Sequence, residues 1–257
     1  TGDKAYGLLV QNGGKASATD VTVLNAGTSG YGVFSTAGAA SAEMTRGSVT
    51  TTGAGGYGIV ASLTGAVKTN GTKVETSGQN AYAAYASSGG IINSTDTDYV
   101  THGDGAYGAY SRAEGSLIDL AGGSVTTSGT KAYALVATTG AMLNTRGVQV
   151  TTSGTQSYGV YANNSGTEIS LTDGKVTTSG DKAYGVFAAG GAKLNVSGTS
   201  VSTAGNAAYG IVSSGQGTQL NIIDTTIVTS GAGADGLRNN SGASLNASNT
   251  AVKVTGQ

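Results

Sequence analysis

Few side chains here could do chemistry. The chain has 257 residues, one histidine (His102), no cysteine, 13 basic and 14 acidic residues. Without cysteine there is no disulfide, thiolate metal site or thiol nucleophile. His102, with Asp104 nearby, sits in a turn slot that serine fills elsewhere, so it reads as a surface residue and no Ser-His-Asp triad is expected. Asp96 and Asp98, with Glu114 and Asp119 about one repeat further on, are the acids that could pair for glycoside cleavage. Read as solvated loop acids, they do no chemistry. Gly53-x-Gly55-x-x-Gly58, Gly103-x-Gly105-x-x-Gly108 and Gly231-x-Gly233-x-x-Gly236 match the dinucleotide fingerprint in letters, but none opens a helix. The calcium-binding nonapeptide Gly-Gly-x-Gly-x-Asp does not occur in register. No catalytic residue, metal or cofactor is expected.

What positions these residues is a repeat. Tyr6, Tyr31, Tyr57, Tyr82, Tyr107, Tyr133, Tyr158, Tyr184 and Tyr209 recur every 25 or 26 residues, and Asp235 takes the tenth place. Four residues before each stands a glycine, from Gly2 to Gly231. A period held over a whole chain means a solenoid rather than two globular domains. Each repeat splits into three runs of four to six residues bordered by Gly, Ser, Asn and Thr; in the repeat of Tyr184 these are 183–188, 193–197 and 200–203. Three strands and three turns in about 25 residues make one coil of a parallel β-helix. The expected fold is all-β, a right-handed single-stranded parallel β-helix of about ten coils, roughly 50 Å long. Residues 1–257 are read as a single β-helix segment. Its start and stop in repeat phase, at Thr1-Gly2 and Thr255-Gly256, look like a piece cut from a longer array.

Alternation assigns the faces. In the third strand the Val49, Val74, Val125 column and the Thr51, Thr76, Thr127 column point inward, and the variable slot between them faces solvent. Its outward Thr126, Thr151 and Thr177 are interrupted by Glu75, Val100, Val228 and Lys253, too narrow a file for an ice lattice. In the second strand Leu143, Leu194, Leu220 and Leu245 form core, with Asn144, Asn195, Asn221 and Asn246 as an exterior ladder. The first strand has two adjacent apolar columns. The column from Leu8 to Leu237 has no polar member, whereas the next contains Arg238, so we place the former inward. Strict alternation then turns the tyrosines inward as well. It leaves Phe34, Val60, Tyr85, Tyr110, Val136, Tyr161, Phe187 and Val212 as a surface stripe, the candidate binding surface.

The pattern of Ala/Gly/Ser-Tyr-Gly/Ala, then Gly-Ala-x-Leu-Asn, then Val-Thr-Thr-Ser-Gly, as in 140–154 and 191–205, resembles the passenger domains of bacterial type V autotransporters of the pertactin-like and AIDA-like kind. The likeness covers essentially the whole chain but is a style of repeat common to many such proteins. It implies display at the bacterial cell surface or secretion after export across the outer membrane. It also implies a non-enzymatic adhesin or self-association module acting on host glycan, extracellular matrix or an identical rod. A polysaccharide-acting lyase or hydrolase on the same rod, or an inert stalk, are the alternatives. Absence of cysteine fits a passage through the barrel as an unfolded chain. With a net charge of -1 and no basic run, neither nucleic acid binding nor direct membrane insertion by this segment is expected.

Overall fold

The structure, a computed structural model, describes residues 2–256, so the expected phase at Thr1 lies outside the described residues. Thirty strands form three parallel sheets of ten, each strand lying between its equivalents one coil before and one coil after. The chain winds as a right-handed parallel β-helix with no helix among the described residues. A typical coil comprises Val186–Ala189, Lys193–Ser197 and Ser200–Thr203. Repeat register becomes spatial register: Tyr82 pairs with Tyr57 and Tyr107, Leu143 with Ile169, and Val150 with Val176. We number the coils 1 to 10 by the residue in the tyrosine slot, Tyr6 to Asp235.

The inward columns meet along the axis as expected. Val49, Val74, Val125 and Val201 of the third strands, and Leu143 and Leu194 of the second, are fully buried. The threonine column from Thr51 to Thr229 is buried beside them. Coil 4 departs from this scheme. Tyr99 takes the valine slot, and its hydroxyl lies 2.5 Å from Ser94 Oγ, which in turn accepts from Thr69 Oγ1 at 2.9 Å. Small hydroxyl residues there occupy the room that Leu120 and Leu171 fill in later coils. The large phenol is thus accommodated with its polar end satisfied.

The invariant glycine has a steric cause. A Cβ on Gly78, Gly103 or Gly205 would stand 2.0 Å from the carbonyl oxygen of the equivalent glycine one coil earlier. Backbones at this corner stack too closely for any side chain.

The first strand breaks alternation at the residue after each tyrosine. A Cβ on Gly32 would lie 2.2 Å from Val49 Cγ1, so this position faces the core, yet the next residue, Val33, is fully buried too. Hydrogen bonding records the bend. Gly108 N donates to Tyr133 O at 3.0 Å and Ala109 N to Ala134 O at 2.8 Å, whereas successive amides of a straight strand point to opposite sides. With two consecutive residues inward, the tyrosines on one side of the bend and the stripe on the other both face outward.

Candidate functional site: a lateral aromatic face

That bend corrects the expectation that the tyrosines are buried. Tyr6 is 44% exposed, and Tyr31 to Tyr209 are half-buried beneath the neighbouring stripe rather than in the core. Phe34, Tyr85, Tyr110, Tyr161 and Phe187 are half-buried and face outward as expected, while Val60, Val136 and Val212 are covered to 2%, 2% and 4% exposure by the rings around them. The two columns interlock. Tyr31 and Phe34 stack at 5.0 Å and 16°, Tyr82 and Tyr107 at 5.0 Å and 3°, and Tyr107 meets Tyr110 edge-on at 5.4 Å and 88°. The result is a double aromatic ladder along the rod, built from the repeat alone.

Packing rings this way changes their acidity. Burial, reinforced by neighbouring phenols, raises Tyr57, Tyr82, Tyr107 and Tyr133 above the usual phenol value, and pushes Tyr158 up to about 12. The phenols therefore stay neutral well past physiological pH. The ladder ends in charge: Arg238 takes the stripe slot of coil 10, lies 4.6 Å over the Tyr209 ring and pairs with Asp235 at 3.6 Å.

Valine in the stripe makes notches. Around Val60 a concavity of about 170 Å³ is walled by Phe34 and Tyr85, with Ser62 and Ser87 on one rim. Around Val212 its counterpart, about 310 Å³, lies between Phe187 and Arg238, with Ser214 and Asn240 on the same rim. At Val136 the Tyr110 hydroxyl reaches Thr138 Oγ1 at 3.1 Å, so the ring leans across the valine's coil.

The acids singled out from the sequence do not converge. Asp98 lies on a third strand, where its carboxylate accepts from Ser124 Oγ at 2.6 Å, and Asp119 lies on a second strand. Asp96 and Glu114 occupy different turns, all four are exposed, and no cluster of three or more possible metal-ligating side chains occurs among the described residues. Asp119 does line a shallow polar hollow of about 390 Å³ with Asn144 and Arg146.

Coil stacking assembles one group that sequence reasoning missed. His102 Nε2 lies 3.0 Å from Glu75 Oε1 and its Nδ1 3.3 Å from Ser128 Oγ, a Ser-His-Glu file over three coils. The available signal was spacing: Ser128 stands 26 residues on in the same turn column, and Glu75 stands 27 residues back, in the outward slot of the third strand one coil earlier. Lys73, at 2.7 Å from the carboxylate, and then His102 hold Glu75 below its usual value of 4.5. The Ser128 amide already donates to Thr101 O and the Thr130 amide to Asp104 Oδ1, so neither is free to stabilise an oxyanion. The file is a surface polar ladder like that of the asparagines, where Asn221 Nδ2 donates to Asn195 Oδ1 at 3.1 Å.

No family model matches the chain, and no curated protein matches it in sequence. Among solved structures, a chain of the cryo-EM structure of the Vag8-C1 inhibitor complex superposes on 97% of this chain with a TM-score of 0.76 and 20% identity. The present chain spans 66% of that chain's length. Identity this low speaks for the fold. In fold, therefore, the chain is similar to the autotransporter passenger Vag8, as its repeats led us to expect.

Proposed function

We propose that the chain is a non-enzymatic binding rod, a β-helix segment of a longer passenger displayed at the bacterial surface or secreted, and that it attaches through its lateral aromatic face. The observation that carries this reading is the double ladder from Tyr6 to Val212. It is a continuous apolar and phenolic strip on one side of a rod whose remaining faces are mostly Ser, Thr, Asn and Lys. Tyrosine combines a large apolar face with a polar tip, which suits a surface that is wet until it docks. Equal, repeated contacts along a straight axis add through avidity. That Vag8 is seen in complex with C1 inhibitor supports a protein as the kind of partner such a rod can hold.

Tyr85→Asp with Tyr161→Asp should reduce adhesion or aggregation of displaying cells while the purified rod keeps its β-sheet circular dichroism, because both rings lie outside the core. Unchanged adhesion and aggregation would remove the aromatic face from the function. On the rival reading, a polysaccharide-acting enzyme, alanine at Asp96, Asp98, Glu114 and Asp119 abolishes polysaccharide cleavage; on ours it leaves adhesion untouched.

A further inference from the structure

The stripe has a second period laid over that of the coil. Val60, Val136 and Val212 stand 76 residues apart, three coils each time, and in these coils the preceding inward residue is Ile59, Leu135 or Ile211. The chain has two phenylalanines, Phe34 and Phe187, and each stands one coil before an open notch. From Phe34 to Phe187 is six coils, and from the Val60 notch to the Val212 notch is six coils.

We propose that this face docks onto a second copy of the chain, the two rods lying antiparallel with each copy's phenylalanines seated in the other's notches. This rests on the binding-rod reading above and names its partner. A two-fold axis that sets coil 2 against coil 9 also sets coil 3 against coil 8 and coil 5 against coil 6. Phe34 then faces Val212, and Phe187 faces Val60, four knob-and-hole contacts in the dimer from two residue pairs. Tyr85 faces Tyr161. Val136, with Tyr110 leaning across its coil to Thr138, falls beside the axis, where it meets the Tyr110 of the other copy. Such an interface is isologous and closes on itself.

Charge and size agree. Along the rim the register sets Ser62 against Ala189 and Thr36 against Ser214, uncharged on both sides, and sets the one rim cation, Arg112, against the neutral Thr138 beside the axis. Beyond the tyrosines it brings Asp104 of one copy level with Lys131 of the other, twice by symmetry. A strip about 48 Å long and about 15 Å wide buries on the order of 1,400 Å² in total, within the range of stable dimers. A glycan would stack on ring faces, but these lie against one another along the axis, as Tyr107 and Tyr133 do at 5.3 Å and 6°, and leave mostly edges outward.

Because the chain lacks cysteine, disulfide trapping reads the register directly. A mixture of Ser62→Cys and Ala189→Cys rods should form the mixed disulfide dimer, and neither variant alone should cross-link. Sedimentation of the unmodified protein should show a dimer, and Phe34→Ala with Phe187→Ala should raise its dissociation constant at least about tenfold while the β-sheet circular dichroism is retained. Filling the notches with Val60→Tyr and Val212→Tyr should have the same effect. A rod that remains monomeric at about 100 µM, or a Ser62→Cys variant that cross-links to itself, overturns the proposal. If the rod is monomeric and Tyr85→Asp with Tyr161→Asp still reduces adhesion to host cells, the binding-rod reading survives and self-docking alone is lost.

Discussion

The buried threonines differ from one another in one hydrogen bond. Thr127, Thr152, Thr178 and Thr203 each donate to the carbonyl five residues on at 2.7 to 2.9 Å, while Thr51, Thr76, Thr101 and Thr229 are buried with their hydroxyls unpartnered. The cause is a carbonyl orientation. In early coils the carbonyl before the tyrosine accepts from the next coil, as Gly30 O does from Tyr57 N at 2.8 Å. In coils 6 to 9 it accepts the threonine hydroxyl instead. Valine at Thr127, Thr152, Thr178 or Thr203 should therefore cost about 1 kcal/mol each in urea denaturation, and at Thr51, Thr76 or Thr101 should be neutral or stabilising. Tyr99→Phe, which removes one of the two buried partners of Ser94 and leaves it Thr69, should cost about 1 kcal/mol in the same measurement. The inward threonine column was legible in the sequence from alternation. Which hydroxyls find partners was not, because no residue type separates the two sets of coils; the difference lies in a peptide plane.

At the level of the strand, the sequence showed three strands per coil, their register and the inward valine and leucine columns, since each repeats a single letter class at fixed offset. It misplaced the tyrosines because the period-two rule was carried across the small residue that follows each of them, where the strand bends. The hint was that residue itself, Gly in eight coils and Ala83 or Ala134 in the other two, an inward position with room for at most a methyl group beside the third strand. The aromatic ladder that results predicts the response to alkali. Burial first, and then neighbouring phenols, raise the folded-state values of Tyr57, Tyr82, Tyr107, Tyr133 and Tyr184 and push Tyr158 up to about 12, while burial alone, opposed by its bonds to Ser94 and Thr69, pushes Tyr99 up to about 12. The unfolded chain releases these protons near pH ~10, so their contribution is complete below that pH and is lost as pH rises toward the folded values. The melting temperature should hold to about pH 9 and then fall steeply as pH rises further. A melting temperature that stays level between about pH 9 and about pH 12 would contradict the packing described. The corner glycine is tested in the same preparation: Gly129→Ala forces a Cβ to within 2.1 Å of Gly103 O and should lower stability by about 3 kcal/mol or more by urea denaturation.

Across the whole molecule, each coil touches its two neighbours, so stability should scale with coil number and an internal coil should be removable without loss of fold. Deleting Tyr158 to Ala183 joins Ser157 to Tyr184 in repeat phase and keeps every column continuous. The shortened rod should retain its β-sheet circular dichroism and unfold in urea with a free energy and an m value each lower by roughly one part in ten. The same deletion separates a length-matched surface from a merely sticky one. Two shortened rods still present phenylalanines and notches at equal spacing, five coils in both, and should still pair through all four knob-and-hole contacts. A shortened rod mixed with a full-length one can seat two of the four knob-and-hole contacts in any one register but never all four, because the spacings now differ by one coil rise of about 4.8 Å. The mixed pair should dissociate at least about tenfold more readily than either matched pair, read by sedimentation of labelled chains. Equal affinity in all three combinations would mean that the aromatic face adheres without regard to register, and that the three-coil spacing of its valines has no part in choosing the partner.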